Sequence, residues 1–312
     1  MKVCIIGVCG HSKQAYKYLK TRNDIEFCGI APGSVYEVIP EAFRDNILYY
    51  DDYIEMLEKC RPDLAVVSPV FGLTGKVITD CALRGINVFA EKPIASSIEE
   101  LERVRSAVDQ SGIRFCAMYY LRYSPAFYHA AEMVRRGDIG DVKMITAQKS
   151  YKFGNRPKWY SDRNLYVGTV PWVGIHAVDW IYHFSGKHFL SVDTVSFGIS
   201  PEMTAISVFE MEDGVMASAN IDYYRPTGAP THGDDRVRCV GSKGVIEVRD
   251  GKIIITNLSG ERVISPNDAP ELLCEFIEGR EPISRDEIFY ITKVSLLARD
   301  SADMKKTLKI EE

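Results

Sequence analysis

Lys92 lies near the end of the run Asn87-Val88-Phe89-Ala90-Glu91-Lys92-Pro93, a short apolar stretch that reads as a β-strand and closes on an acid, an amine and a proline. In an open α/β sheet, ligands gather beyond the carboxyl ends of the strands, so an amine at such an end is placed to meet a substrate. Pro93 disfavours helical backbone at Lys92 and keeps the residue extended. A surface lysine in a strand-to-helix turn explains the same residues, because Ser96-Ser97-Ile98-Glu99-Glu100 has the form of a capping sequence.

A second set of candidates follows the first apolar run, at Gly7, Cys9, Gly10 and Ser12. The dinucleotide fingerprint G-x-G-x-x-G lets amides at a helix N-terminus approach a pyrophosphate. Here only Gly7 matches, with Cys9 and Ser12 at the other two positions. Gly10 can tighten the turn, and the Ser12 hydroxyl can cap the helix or bond a phosphate. A purely structural turn fits these residues equally. The ribose-binding acid expected about 20 residues further on is missing from Ile30-Ala31-Pro32-Gly33-Ser34, which leaves Ser34 as the candidate for a ribose or a 2′-phosphate. NAD and NADP therefore stay open. Val67-Ser68-Pro69-Val70, read as the end of a fourth strand, adds Ser68 and Pro69 as cofactor candidates, with an ordinary strand exit as the alternative.

The elements that must position these residues alternate in type. From Met1 to about Met118, strands are expected near Lys2-Ile6, Glu26-Ala31, Leu64-Ser68, Asn87-Ala90 and Arg114-Met118, with a short strand-like Asn46-Tyr49. Helices fall near Ser12-Lys20, Asp52-Lys59, Thr74-Arg84 and Ile98-Ser111, the βαβ pattern of a parallel sheet. After Met118 a helix runs to Arg135-Arg136, with Gly137 as its stop. Longer strands follow at Val142-Tyr151, Val192-Ile199, Ala205-Glu210, Val215-Tyr223, Arg236-Val240, Gly244-Val248 and Lys252-Asn257. Asp213-Gly214, Gly241-Ser242 and Asp250-Gly251 mark turns between them. Helices return at Glu271-Gly279 and Arg285-Met304, which makes the second half a largely antiparallel α+β domain.

Length and composition agree with this division. A chain of 312 residues, 46% hydrophobic and 26% charged, suits two soluble domains. Net charge is −5 with basic residues dispersed, which excludes an electrostatic footprint for nucleic acid or an anionic membrane. No apolar run approaches the ~20 residues of a spanning helix, and the N-terminal run reads as a strand rather than a leader. Eight cysteines stand singly with no CxxC pair, as expected of buried thiols in a reducing cytoplasm and not of a disulfide framework or a cysteine zinc site.

The ordered set Glu91-Lys92-Pro93, Arg122-Tyr123-Ser124-Pro125, Gly137-Asp138-Ile139-Gly140-Asp141-Val142, Gly174-Ile175-His176-Ala177-Val178-Asp179 and Gly241-Ser242-Lys243-Gly244-Val245-Ile246-Glu247-Val248 resembles the glucose-fructose oxidoreductase, inositol dehydrogenase and rhizopine catabolism (Gfo/Idh/MocA) family over nearly the whole chain. The resemblance implies an N-terminal Rossmann domain, taken as residues 1–121. It implies a C-terminal α+β domain with a large open sheet over residues 122–312, used for substrate binding and for a homo-oligomer, dimer or tetramer. It also implies NAD or NADP, and a sugar, cyclitol or related polyol as substrate. The family lysine matching Lys92 bonds the reacting hydroxyl, and the histidine matching His176 serves as acid or base. Imidazole titrates near neutrality and an ammonium stabilises a developing alkoxide, which makes that division reasonable.

Several positions depart from the family. Trp172 stands four residues before His176 where the family has an aspartate, and Thr74 stands for a histidine early in the helix after the fourth strand. On a helix over Gly174-Phe184, His176, Asp179 and His183 share one face within ~60°. Asp179 could orient His176, or Asp179 and His183 could be structural polar residues. The triad spacing also admits a metal, but no further ligands accompany it and none is expected. Trp172, with Tyr151-Lys152-Phe153-Gly154-Asn155-Arg156-Pro157-Lys158-Trp159-Tyr160, supplies rings that stack on sugar faces and cations that would hold a carboxylate or phosphate. Trp172 and Tyr160 are the expected site walls.

These readings combine into an NAD(P)-dependent oxidoreductase with Lys92 and His176 as its polar pair. Gly7, Cys9, Gly10, Ser12, Ser34, Ser68, Pro69, Glu91 and Lys92 are the candidate cofactor contacts, and Arg122, Tyr160, Trp172 and Asp179 the candidate substrate contacts. Two other readings remain. One is an enzyme that eliminates a glycosidic group through transient oxidation, and the other a cofactor- or sugar-binding regulator in which Trp172 replaces the acid.

Overall fold

The computed structural model describes residues 1–43, 47–198 and 201–311, which form two compact units. The first comprises Met1–Met118, Asp162–Val167 and Leu272–Thr292. Its order is β1 (Lys2–Ile6), α1 (Ser12–Leu19), β2 (Glu26–Ala31), α2 (Tyr53–Cys60), β3 (Leu64–Val67), α3 (Thr74–Ala82), β4 (Asn87–Ala90), α4 (Ile98–Ser111) and β5 (Phe115–Ala117). The five strands form one parallel sheet in the order β2-β1-β3-β4-β5. All of β3 and the last four residues of β1 are buried, which is why these strands read as unbroken apolar runs. The strand order reverses between β1 and β3, so the carboxyl ends of these two strands border the crevice in which such sheets take ligands.

The helices start where local chemistry allows. Asp52 caps α2 by accepting from Glu55 N at 2.9 Å, and Ser97 caps α4 by accepting from Glu100 N at 3.1 Å. The Glu100 carboxylate in turn takes the amide and hydroxyl of Ser96, at 2.7 and 2.6 Å. The strand-like Asn46-Tyr49 is corrected in part: Asn46 lies outside the described residues, and Tyr49 makes an isolated bridge to Ile30. With that run excluded from the sheet, Val67 ends a third strand rather than a fourth.

The second unit comprises Tyr119–Ser161, Gly168–Glu271 and Lys293–Glu312. It opens with α5 (Pro125–Arg135) and β6 (Val142–Tyr151), before the chain returns to the first unit in the short α6 (Arg163–Tyr166). There follow α7 (Ile175–Ser185), β7 (Phe189–Phe197), β8 (Thr204–Met211), β9 (Met216–Asp222), β10 (Gly233–Gly241), β11 (Gly244–Arg249), β12 (Lys252–Asn257) and β13 (Gly260–Ile264). Then α8 (Leu272–Ile277) belongs to the first unit, α9 (Arg285–Met304) contributes residues to both, and β14 (Leu308–Lys309) ends the chain's regular structure.

Nine strands make one sheet in the order β13-β12-β11-β10-β6-β9-β8-β7-β14, antiparallel throughout except for the parallel pair β6 and β9. Two strands were not foreseen: β13 is almost wholly exposed and lacks apolar alternation, and β14 has two residues. Ile199, expected at the end of β7, lies outside the described residues.

Where the sequence places a boundary after residue 121, the first unit's opening segment ends at Met118, and two later segments return to it. Such returns leave no local signature, because a helix carries the same apolar stripe whichever unit it serves.

Candidate functional site

In the first unit the candidates collect at the carboxyl ends of β1, β3 and β4. Gly7 adopts φ +73°, and a Cβ there would lie 2.5 Å from both Pro69 Cα and Ser68 O. The two strand ends are laced together: Cys9 N donates to Ser68 O at 2.8 Å, and the Ser68 hydroxyl donates to the Cys9 carbonyl. Gly10, at φ +59°, completes the turn into α1. The Ser12 hydroxyl at the head of that helix is buried and, among the described residues, has no hydrogen-bond partner. A glycine turn with no room for a side chain, a helix N-terminus and an unmet hydroxyl suit the phosphates of a dinucleotide. The fit supports the cofactor implied by the sequence.

Glu91, at the end of β4, is buried and accepts hydrogen bonds from His11 N and, at 3.0 Å, from Lys92 N. Its carboxylate also lies 3.0 Å from His11 Nδ1. Burial would raise the Glu91 carboxyl, but His11 and Lys92 overcome it and hold the group below the usual carboxylate range. The Glu91–His11 clasp thus ties the strand end that carries Lys92 to the β1–α1 turn. Lys92 itself is buried, and its peptide bond to Pro93 is cis.

A carboxylate does reach this cradle, from a residue the sequence reading passed over. Glu37 Oε1 accepts from Val70 N at 2.8 Å and from the Ser34 hydroxyl at 3.1 Å, and Oε2 faces Gly33 N at 3.4 Å. Oε2 also lies 2.6 Å from where a Gly7 Cβ would be. Burial pushes the Glu37 carboxyl up while these donors pull it back. The expectation that no acid serves the second strand end is therefore corrected. Glu37 lies six residues past Ala31, and the turn at Pro32-Gly33 folds it back. Ser34 is engaged by this same carboxylate.

In the second unit, α7 follows a π-helical turn, Val170–Gly174, that carries Trp172. π-Turns recur where a helix is distorted for function. Gly174 allows the turn to lie on the sheet, since a Cβ there would be 2.3 Å from Ile221 Cδ1 on β9. Two residues later comes His176, fully buried, its ring edge-on to Tyr119 at 6.4 Å and stacked with Trp180 at 6.3 Å.

Asp179 is paired elsewhere. Arg122 Nη2 and Nε donate to Asp179 Oδ1 at 2.5 and 3.1 Å, and both side chains are buried. His183 is held well below its ordinary pKa by burial and then by Arg122 and Arg135. Tyr160 and Trp172 are buried rings, with Tyr160 4.4 Å from Trp159.

Lys149 on β6 is fully buried beneath α7, with Nζ 2.6 Å from Asp235 Oδ1 and 5.3 Å from the Trp180 ring. Burial brings this ammonium down to about 8 against the pull of Asp235. A lysine inside an otherwise apolar alternation was the available sequence signal for it.

Comparison with known proteins places this geometry. Residues 1–120 match the profile of an oxidoreductase family with an NAD-binding Rossmann fold, and residues 127–247 match the GFO/IDH/MocA C-terminal domain. The chain belongs to the Gfo/Idh/MocA family. A Thermotoga maritima structure classed with the oxidoreductases is 37% identical, with a TM-score of 0.95 over 99% of this chain and 100% of that one.

Among curated members of the family, D-xylose 1-dehydrogenase (NADP+) 2 of Haloferax volcanii is 25% identical over 57% of this chain and 55% of its own length. The scyllo-inositol 2-dehydrogenase (NADP+) of Bacillus subtilis is 23% identical over 64% and 53%. The chain spans about half the length of these curated relatives. Among the described residues, no helix is long and apolar enough to cross a membrane.

Proposed function

We propose that the protein moves a hydride between a nicotinamide dinucleotide and a hydroxyl-bearing carbon of a sugar, cyclitol or related polyol. The observation that carries this reading is Lys92, a buried amine at the carboxyl end of β4 whose strand end is clasped through Glu91 and His11 to the glycine turn. When bound, the nicotinamide supplies the hydride acceptor for oxidation and the donor for reduction. In the oxidative direction the His176 imidazole takes the hydroxyl proton, and the Lys92 ammonium steadies the oxygen as charge builds on it. In reduction the same proton returns from His176.

The supporting residues have distinct tasks. The α1 amides and the Ser12 hydroxyl hold phosphate, and Gly7 and Gly10 admit it. Cys9, Ser68 and Pro69 shape the wall, with the Ser68 hydroxyl already committed to Cys9. Glu37, fixed by Val70 and Ser34, accepts the adenosine ribose hydroxyls and favours NAD over NADP. Arg122 and Asp179, bound to each other, act as positioning residues beneath His176. Tyr160 and Trp172 offer flat faces to the C–H side of a sugar ring.

Two broader features of the reading rest on the second unit and the thiols. Val195, Phe197, Ile206 and Val208 are exposed on neighbouring strands β7 and β8, and we infer that a second copy covers them. A Phe197→Glu protein should then elute at lower mass than wild type in light-scattering chromatography; an unchanged mass contradicts the inference. None of the eight cysteines is joined in a disulfide, which fits a reducing compartment such as the cytoplasm.

The test of the main reading is absorbance at 340 nm with NAD or NADP and a panel of aldoses and cyclitols. Lys92→Ala and His176→Ala should each lower turnover by roughly 10²–10⁴-fold with cofactor binding retained. Full activity in either variant defeats the assigned roles. Cofactor binding with no turnover of any compound favours a binding protein instead.

A further inference from the structure

Arg156, in the second unit, is a half-buried arginine set among aromatic rings. Its guanidinium carbon lies 5.2 Å from the Tyr160 ring centroid, 5.7 Å from that of Tyr223 and 6.0 Å from that of Phe153. Rings on several sides fix the orientation of a planar cation without neutralising it. Among the described residues Arg156 donates one hydrogen bond, from Nη2 to Lys152 O at 3.3 Å, and its buried Nε has no partner. A guanidinium carries five N–H donors, so most of this fork is unmet.

The neighbouring cations are already answered. His232, 4.8 Å from the Tyr151 ring, is held below its ordinary pKa by burial and then by Arg156, Lys149 and Lys152 together. Lys149 is paired with Asp235, and the Lys152 ammonium donates to the carbonyls of Thr227 and Ala229. Lys149 has a carboxylate and Lys152 two carbonyl acceptors, whereas Arg156 has a single long bond for its five donors.

Its position bears on the proposed chemistry. Burial alternates along β9 and continues through Tyr223, which places Tyr223 on the same sheet face as Ile221. Ile221 is the residue against which Gly174 packs, two positions before His176. The guanidinium thus stands on the face that carries the histidine turn.

We propose that Arg156 forms a carboxylate subsite and that the substrate is a polyhydroxy acid, a uronate or an aldonate. This deepens the reading of the protein as a polyol oxidoreductase and rests on it. One open charge with parallel donors matches a monocarboxylate in bidentate contact. A phosphate dianion would need a second cation with open donors, whereas Lys149 is ion-paired with Asp235 and the Lys152 donors are taken by two carbonyls.

The test compares D-glucuronate, D-galacturonate, D-gluconate and D-galactonate with D-glucose, D-galactose and glucose 6-phosphate. Binding is read by calorimetry in the presence of NADH and turnover at 340 nm, in wild type, Arg156→Gln and Arg156→Lys proteins with matched thermal melts. At least one acid should bind wild type more tightly than its neutral counterpart. Arg156→Gln should weaken that binding by roughly 10- to 100-fold, mainly in KM, with Arg156→Lys between the two.

The inference is overturned if no acid binds, if Arg156→Gln changes acid binding less than threefold, or if glucose 6-phosphate is preferred. Neutral sugars turned over while acids are ignored would defeat it and leave the oxidoreductase reading standing. Acid binding that depends on Arg156, with no NADH binding and no turnover, would do the reverse.

Discussion

Replacing Glu37 by Gln removes one negative charge and keeps the side-chain shape, which makes it the sharpest probe of the cofactor cradle. In the native protein Oε1 is occupied by Val70 N at 2.8 Å and the Ser34 hydroxyl at 3.1 Å. Oε2 lies 3.4 Å from Gly33 N and faces the Gly7 turn, where the Val8 amide also bonds the carboxylate. Glutamine can keep the Val70 bond but presents an amide where the ribose diol needs an acceptor. Hydrogen bonds to charged groups contribute ~1.5–3 kcal/mol each, so NADH should bind ~10- to 100-fold more weakly.

NADPH should respond the other way. A 2′-phosphate of charge about −2 placed ~5 Å from a carboxylate in water-like dielectric is repelled by ~1.5 kcal/mol, and the substitution should improve NADPH by ~10-fold. The assay is fluorescence titration with NADH and NADPH, repeated with 5′-AMP and 2′,5′-ADP so that the nicotinamide end has no influence. Because burial raises the Glu37 pKa, the preference for NADH should also fade as pH falls and the carboxyl protonates. An unchanged NADH to NADPH ratio refutes the assignment. So does equal tightening of both, which would mean that the carboxylate merely occupies the anion cradle.

Three further outcomes follow from buried groups. Asp179→Asn strands the Arg122 guanidinium and should cost ~3–5 kcal/mol in urea unfolding, whereas the Arg122→Met/Asp179→Leu double substitution should recover most of it; additive losses would contradict a coupled pair. Gly7→Ala puts a Cβ into Pro69 and Ser68 at φ +73° and should abolish NADH binding while costing ~1–3 kcal/mol of stability; tight NADH binding by this variant would refute the cradle. Lys149, lowered to about 8 when folded, binds its proton less readily than in the unfolded chain. Stability from this group therefore rises with pH between 8 and its ordinary value of 10.5, by roughly 3 kcal/mol at most. Urea midpoints of wild type and Lys149→Met should diverge in wild type's favour across that window; parallel curves count against it.

How much of this was legible depended on whether the signal was local. The βαβ half could be read almost to the residue because its strands are buried on both faces and its helices carry their own caps, as Ser97 and Glu100 show. Lys92, Gly7 and His176 announced themselves through strand ends, turns and an ordered set of motifs. Glu37 did not, since nothing in its neighbours says that the chain after Pro32-Gly33 turns back onto Gly7. Arg122 and Asp179 were each named as candidate substrate contacts, but their mutual pairing spans 57 residues and is a property of the fold. The π-turn at Val170–Gly174 was equally hidden, because its extra residue leaves the apolar pattern unbroken.

The two missing acids have different consequences. At the second strand end Glu37, from downstream, brings a carboxylate beside the Gly7 turn. Before His176 a tryptophan stands where the resemblance implies an acid, while Lys149 lies by Trp180, on the same helix as His176, and Arg156 lies among Tyr160, Tyr223 and Phe153. Asp235 answers Lys149, whereas among the described residues Arg156 makes one long bond to Lys152 O and its Nε has no partner. On the proposal that Arg156 forms a carboxylate subsite, the ring at Trp172, in place of an acid, and the guanidinium act in the same direction, both favouring an anionic substrate. On that proposal a neutral polyol would gain nothing from the guanidinium, whereas a polyhydroxy acid would bring the carboxylate that answers it.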